Sequence, residues 1–172
     1  LRGMEEAAVH YANFSDAVTG TDEAKLKTFS TLIADKYADT PYADLAKLRE
    51  AAHLQSLGKY AEAIALLDAG AAKTKDPGLK ELFALRAARV ALINGKPADA
   101  IKRVDAVGAK TMYPGIALEL RGDAEGALGR RDAARKAYES ALTSIDQASP
   151  LRRLVELKLI DAGGTPPAQP EI

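Results

Sequence analysis

Four prolines stand at nearly equal intervals along this chain. Pro41, Pro77, Pro114 and Pro150 are 36, 37 and 36 residues apart. Each follows a turn-forming or capping residue (Thr40, Asp76, Tyr113, Ser149) and precedes a helical pattern. Proline suits the first position of a helix, where its missing N–H has no intrahelical partner to lose. A second ladder interleaves with the first: Gly58-Lys59-Tyr60-Ala61-Glu62-Ala63, Gly95-Lys96-Pro97-Ala98-Asp99-Ala100 and Gly129-Arg130-Arg131-Asp132-Ala133-Ala134. In each, Gly is placed to end a helix in a left-handed cap, and Ala five positions on begins a close contact between helices. Helix, glycine turn, helix, proline turn, with a period near 36, describes an α-solenoid of helical hairpins.

The expected hairpins are about 3–19 with 22–37, 41–57 with 60–73, 77–94 with 97–108, and 114–128 with 131–145. The turn of the first is Thr19-Gly20-Thr21-Asp22. A last helix, about 150–161, is placed to cover the open apolar end of the stack, which an uncapped solenoid leaves exposed. The fold expected is therefore all-α, a right-handed solenoid of about four hairpins with a C-terminal capping helix. Residues 1–161 form the repeat domain, and 162–172 form a Pro-rich tail, Thr165-Pro166-Pro167-Ala168-Gln169-Pro170 within it, expected to be disordered. Composition agrees: Ala, the best helix former, occurs 35 times among 172 residues, and only 5% are aromatic.

Charge and cysteine content remove several functions. Lys plus Arg and Asp plus Glu are 24 each, so nucleic-acid binding is not expected. The halves differ slightly, residues 1–76 carrying −3 and 77–172 carrying +3. Without Cys there is no disulfide, thiol nucleophile or Cys-based metal site. His10 and His53 read as helix-surface histidines, and neither Gly58-Lys59 nor Gly95-Lys96 has the strand and spacing of a phosphate loop. No cofactor, metal or catalytic constellation is expected. Glu5-Glu6 and Asp22-Glu23 sit in first helical turns, where negative charge offsets the helix dipole. Arg130, Arg131, Arg135, Lys136, Arg152, Arg153 and Lys158 make a basic concentration, read as a solvated face because Asp132, Glu139 and Glu156 interleave. Arg121-Gly122-Asp123 falls inside a helical pattern and is no adhesion tripeptide.

The hairpin signature resembles the tetratricopeptide repeat. The second hairpin supplies Gly58, Tyr60, Ala63, Leu67 and Gly70; the third supplies Gly95, Ala100, Val104 and Val107, with Pro97 at the aromatic position. The fourth supplies Gly129, Ala134, Tyr138 and Ala141, with Gly122 at the close-packing point of its first helix; the first keeps Gly20, Phe29 and Leu32. Over about residues 5–161 a narrower likeness appears. Thr40-Pro41-Tyr42-Ala43, Leu85-Arg86-Ala87-Ala88-Arg89-Val90, Glu119-Leu120-Arg121-Gly122-Asp123, Ala134-Arg135-Lys136-Ala137-Tyr138-Glu139 and Leu151 to Asp161 carry it. These segments resemble the periplasmic domain of the ancillary subunit of the bacterial Sec translocon, the YfgM-like proteins. The resemblance implies a place at the periplasmic face of the inner membrane and one N-terminal membrane anchor lying before this chain. It also implies translocon subunits, periplasmic chaperones or unfolded chains as partners. The opening Leu1-Arg2-Gly3, without an initiator Met, reads as a fragment on this view.

In repeats of this class the first helix of each hairpin lines a concave groove. Counting back from the glycine turns puts Leu45, Leu48, Ala52 and Gln55 there in the second hairpin, and Leu82, Leu85, Arg89 and Leu92 in the third. The fourth contributes Ile116, Glu119, Asp123 and Gly126. Either these side chains pack on each other or on a terminal helix, or they form an apolar groove for a partner. Arg89 and Asp123 hold the same position in successive repeats, about one helix spacing of ~10 Å apart. A partly buried ion pair that fixes the stacking is expected of them, or a charged rim to the groove. The leading functional reading is a non-enzymatic protein–protein interaction module. The alternative is a structural scaffold, a homodimer formed through the same apolar face.

Overall fold

A computed structural model describes residues 2–19 and 23–168. Among them are nine helices and no strand: α1 Arg2–Thr19, α2 Glu23–Lys36, α3 Pro41–Ser56, α4 Tyr60–Lys73, α5 Pro77–Ile93, α6 Pro97–Val107, α7 Pro114–Ala127, α8 Arg131–Ser144 and α9 Pro150–Asp161. The proline ladder supplies the first residues of α3, α5, α7 and α9. Gly20 to Asp22, with the glycine cap and the acid expected there, lie outside the described residues.

The glycine ladder acts as its chemistry requires. Gly58, Gly95 and Gly129 have φ of 75°, 77° and 77°, the left-handed region that only glycine enters freely. Each turn closes in the same two bonds. Gly58 N–H donates to Gln55 O at 3.0 Å and Lys59 N–H to Leu54 O at 2.9 Å; Gly95–Leu92 with Lys96–Ala91, and Gly129–Gly126 with Arg130–Glu125, repeat the pattern. Ala63, Ala100 and Ala134 are buried, as the spacing predicted.

The helix starts are less uniform. Asp76 Oδ1 accepts from Leu79 N–H and Ser149 Oγ from Leu151 N–H, so these two residues cap as expected. Thr40 and Tyr113 supply no side-chain cap. The Thr40 hydroxyl instead donates back to Tyr37 O at 2.7 Å, closing the end of the preceding segment.

Two compact units share the chain, residues 1–83 and 84–172, divided within α5. In the first, Phe14 and Ala17 of α1, Leu26 and Ile33 of α2, and Ala43 and Ala46 of α3 form a core flanked by Tyr11 and Phe29. Gly70 of α4 lies against the Phe83 ring, where a Cβ would have no room. In the second unit, Leu85 and Ala88 of α5 meet Val104 of α6 and Ala117 and Leu120 of α7. A further cluster joins Ala134, Tyr138, Ala141 and Leu142 of α8 to Val155 and Leu159 of α9, with Ile145 and Ala162. Packed structure therefore continues past residue 161: Ala162 is buried, and Gly163 and Gly164 N–H close α9 on Ile160 O and Leu159 O. Of the Pro-rich tail, 165–168 carry no regular secondary structure, and 169–172 lie outside the described residues.

Candidate functional site

The second unit builds a polar cluster from four helices. Arg89 of α5 reaches Glu119 and Asp123, one turn apart on α7, and its Nη1 donates to Asp123 Oδ2 at 2.7 Å. Lys158 of α9 donates to the same two carboxylates, at 2.8 Å to Asp123 Oδ2. Tyr138 of α8 completes the set, its hydroxyl donating to Asp123 Oδ1 at 2.6 Å. Two cations face two anions, and every carboxylate oxygen accepts at least one bond. Side-chain exposure is 6% for Glu119 and 17% for Asp123, so the charges are largely withdrawn from water. Buried charge is tolerated when it is paired and its lone pairs are occupied, and both conditions hold here.

The protonation states follow. Burial alone pushes the Asp123 carboxyl up, but the hydrogen bonds from Lys158, Tyr138 and Arg89 together outweigh it and hold it below the ordinary carboxylate range. Burial, then the bond to Asp123, pushes the Tyr138 phenol well above its ordinary value. Asp123 is thus held ionised and Tyr138 protonated. Neither is poised to exchange a proton near neutral pH, as a general acid or base must be. The arrangement ties four helices together.

Of the twelve residues expected on the inner face, the structure brings Arg89, Glu119 and Asp123 together, with the expected Arg89–Asp123 pair formed. Leu48 and Leu85 are corrected to core positions: at 5% and 2% exposure they have no surface to give a partner. The cause lies in α3 and α5, which are buried on more than one side. In α5, Phe83, Leu85, Ala87, Ala88, Val90 and Ala91 are all buried, so a residue's angular position no longer separates face from core. Glu119, also buried, is spent within the polar cluster. Leu45 and Ile116 remain exposed at 39% and 40%, while Gln55, Leu82 and Leu92 are half-buried.

Tyr138 and Lys158 are the members that sequence reading missed. Tyr138 carried the signature of a packing residue and Lys158 that of a basic surface. The pairing of α7 with α8 brings Tyr138 to Asp123, and the docking of α9 brings Lys158 to the α7 carboxylates. The basic concentration is otherwise mostly paired: Arg130 with Glu125, Arg135 with Asp132 and Glu139, Arg152 and Arg153 with Glu156. Arg131 donates to Asp161 O. Arg121-Gly122-Asp123 lies within α7 with Gly122 buried, as expected.

The first unit has its own polar features. His10 stacks on Tyr37 with centroids 5.5 Å apart, and the Tyr37 hydroxyl donates to Glu6. A cleft of about 550 Å³ is lined by Asp39, Asp44, Lys47, Lys73, Lys75 and Asp76 among others. Burial lowers the Lys47 pKa, with Asp44 opposing. Two of the aspartates there already serve the fold, Asp44 accepting from Thr74 and Asp76 capping α5, while Asp39 makes only an exposed ion pair with Lys75 at 3.9 Å. Among the described residues no group of three or more His, Cys, Asp or Glu is placed to hold a metal ion. No helix among them is long and apolar enough to cross a membrane.

Repeated hairpins with glycine turns, closed by a docked terminal helix, define a helical-repeat protein of the α-solenoid class. The sequence matches the profile of the tetratricopeptide repeat-like domain over residues 2–164, and the chain belongs to that family. Among solved structures it is similar to the nearly identical tetratricopeptide-like repeats of a kinesin light chain candidate from Podosopora anserina. The likeness has a TM-score of 0.62 at 20% identity and covers 94% of this chain and 83% of that one. At that identity it speaks for the fold alone. No curated protein matches the sequence. Repeats of this kind generally mediate protein–protein interaction and generally lack catalytic activity.

Proposed function

We propose that this chain is a non-enzymatic protein–protein interaction module that engages partners through exposed apolar residues of its first helices, Leu45 in the first unit and Ile116 in the second. The observation that carries this reading is a division of labour. The charged side chains expected on the inner face, Arg89, Glu119 and Asp123, are consumed by the cluster they form with Lys158 and Tyr138, whereas Leu45 and Ile116 stay open to solvent. Apolar residues on a helix surface engage a partner by inserting anchors at i, i+3 and i+4 spacing. By resemblance, the partners would be translocon subunits, periplasmic chaperones or emerging unfolded chains, met at the periplasmic face of a bacterial inner membrane. The chain would be held there by an anchor N-terminal to Leu1.

Photo-reactive residues in place of Leu45 and Ile116 test this, with the exposed Glu62 as control, in membranes of the source cell. Adducts to channel subunits, chaperones or nascent chains at the first two positions only are expected. Equal adducts at all three, or none, would sink the reading. Enzymatic activity is not expected, because repeats of this kind generally lack catalytic activity.

A further inference from the structure

The helix that ends a solenoid normally turns a polar face outward, because nothing follows to bury an apolar one. α9 departs from that rule. Its inner side packs Val155, Glu156 and Leu159 against the rest of the unit. Its outer side carries Leu154, Leu157 and Ile160 at 46%, 49% and 52% exposure, a stripe three residues apart. The polar residues of this side fall on a regular plan. Arg153 stands four residues before Leu157, and Asp161 four after.

We infer that the outer face of α9 is a self-recognition surface, occupied by α9 of a second copy of this chain in an antiparallel pair with its two-fold axis at Leu157. An isologous contact must be self-complementary: whatever lies n residues before the axis meets, at the same level, whatever lies n residues after it on the partner. About Leu157 the plan closes at both steps. Leu154 comes level with the partner copy's residue 160, apolar on apolar, and Arg153 comes level with its residue 161, cation on anion. Two such charge pairs form, one at each end of the stripe. The Asp161 carboxylate has no partner among the described residues, and Arg153 is held by Glu156 alone, at 3.4 Å with the Arg side chain 71% exposed. Both are free to re-pair.

Charge complementarity favours a second copy over an anionic surface. Arg152 is engaged with Leu142 O, Ile145 O and Glu156, and Lys158 with the α7 carboxylates. The outward face is left with one cation and one anion, a mixture that a lipid headgroup layer or an RNA does not select. This inference is independent of the proposed inner-face function, since no residue is shared.

Sedimentation equilibrium across low micromolar to submillimolar protein tests it. The wild-type chain is expected to dimerise, and Leu157→Arg to remain monomeric with an unchanged circular dichroism spectrum and melting midpoint. Arg153→Asp and Asp161→Arg should each weaken association by about tenfold or more, and the double variant should recover most of that loss, because exchanging the charges restores both pairs. A monomeric wild type, a dimer indifferent to Leu157→Arg, or no recovery in the double variant overturns the inference. So does a chain ending at Ala168 that dimerises when the full chain does not, which would make residues 169–172 the occupant. Flotation with anionic vesicles that Leu157→Arg abolishes in a monomeric protein would assign the face to lipid and overturn it equally.

Discussion

Asp123 is the residue on which the second unit's polar contacts converge: one carboxylate receives Arg89, Lys158 and Tyr138. Its pKa lies below the ordinary value in the folded state. The stabilisation it provides is therefore present above the unfolded-chain pKa of about 3.9 and is lost as pH falls through the folded one. Tyr138 has the opposite sign. Its folded-state pKa is raised, so its contribution is complete below about pH 10 and fades as pH rises beyond that. Urea midpoints measured against pH should form a plateau with both flanks falling. Asp123→Asn is expected to reduce the acid flank and to cost about 2 kcal/mol at neutral pH, since it leaves two cations facing Glu119 alone. Tyr138→Phe should reduce the alkaline flank and cost about 1 kcal/mol. Unchanged flanks in both variants would show that other groups govern the pH response. One residue away, Gly122 lies against the Tyr138 ring, so that a Cβ has no room unless the ring moves. The ring is tethered through its hydroxyl, and Gly122→Ala is expected to destabilise by roughly 1–3 kcal/mol in chemical denaturation.

Within a single helix, glycines that look alike in sequence carry different duties. α7 holds Gly115, Gly122 and Gly126. A Cβ at Gly115 would meet Ile145, and at Gly122 it would meet Tyr138; at Gly126 it would touch only the Ala134 methyl at 3.9 Å, an ordinary contact. Gly126→Ala should therefore stabilise by about 0.5–1 kcal/mol by removing backbone freedom from the unfolded chain, while its neighbour four residues earlier destabilises. A matched pair of denaturation curves checks the opposite signs. The element scale is also where the sequence was most legible. Glycine turns and N1 prolines are local devices, decided within six residues, and α3 to α9 begin and end within a residue or two of their expected limits. Thr40 misled because capping competes with other local bonds, its hydroxyl finding the Tyr37 carbonyl instead, and Tyr113 because a phenol is not a capping side chain. Leu48 and Leu85 misled for a different reason. Assigning an inward face presumes that each helix has a wet side, and α3 and α5 are enclosed on several sides by their neighbours.

The end of a repeat stack has to be closed by something, and α9 does so in two ways at once. Val155, Leu159 and the following Ala162 cover Tyr138, Leu142 and Ile145, while Lys158 crosses to Glu119 and Asp123. The Arg89–Asp123 pair was legible because both residues hold equivalent positions in adjacent repeats. Lys158 was not, because α9 belongs to no repeat and its docking is decided by tertiary contacts that no local spacing encodes. The two contributions of α9 can be separated. Lys158→Met keeps the stem and removes the charge, leaving Arg89 to neutralise two carboxylates; a loss of about 1–3 kcal/mol is expected. Ending the chain before Pro150 removes packing as well, and burial of two large aliphatic side chains alone is worth roughly 3–6 kcal/mol. Amide hydrogen exchange should then accelerate in α7 and α8 far more in the truncated chain than in Lys158→Met, with α1 and α2 unchanged in both. Equal acceleration in the two variants would mean that the charge, not the apolar cover, is what the closing helix contributes.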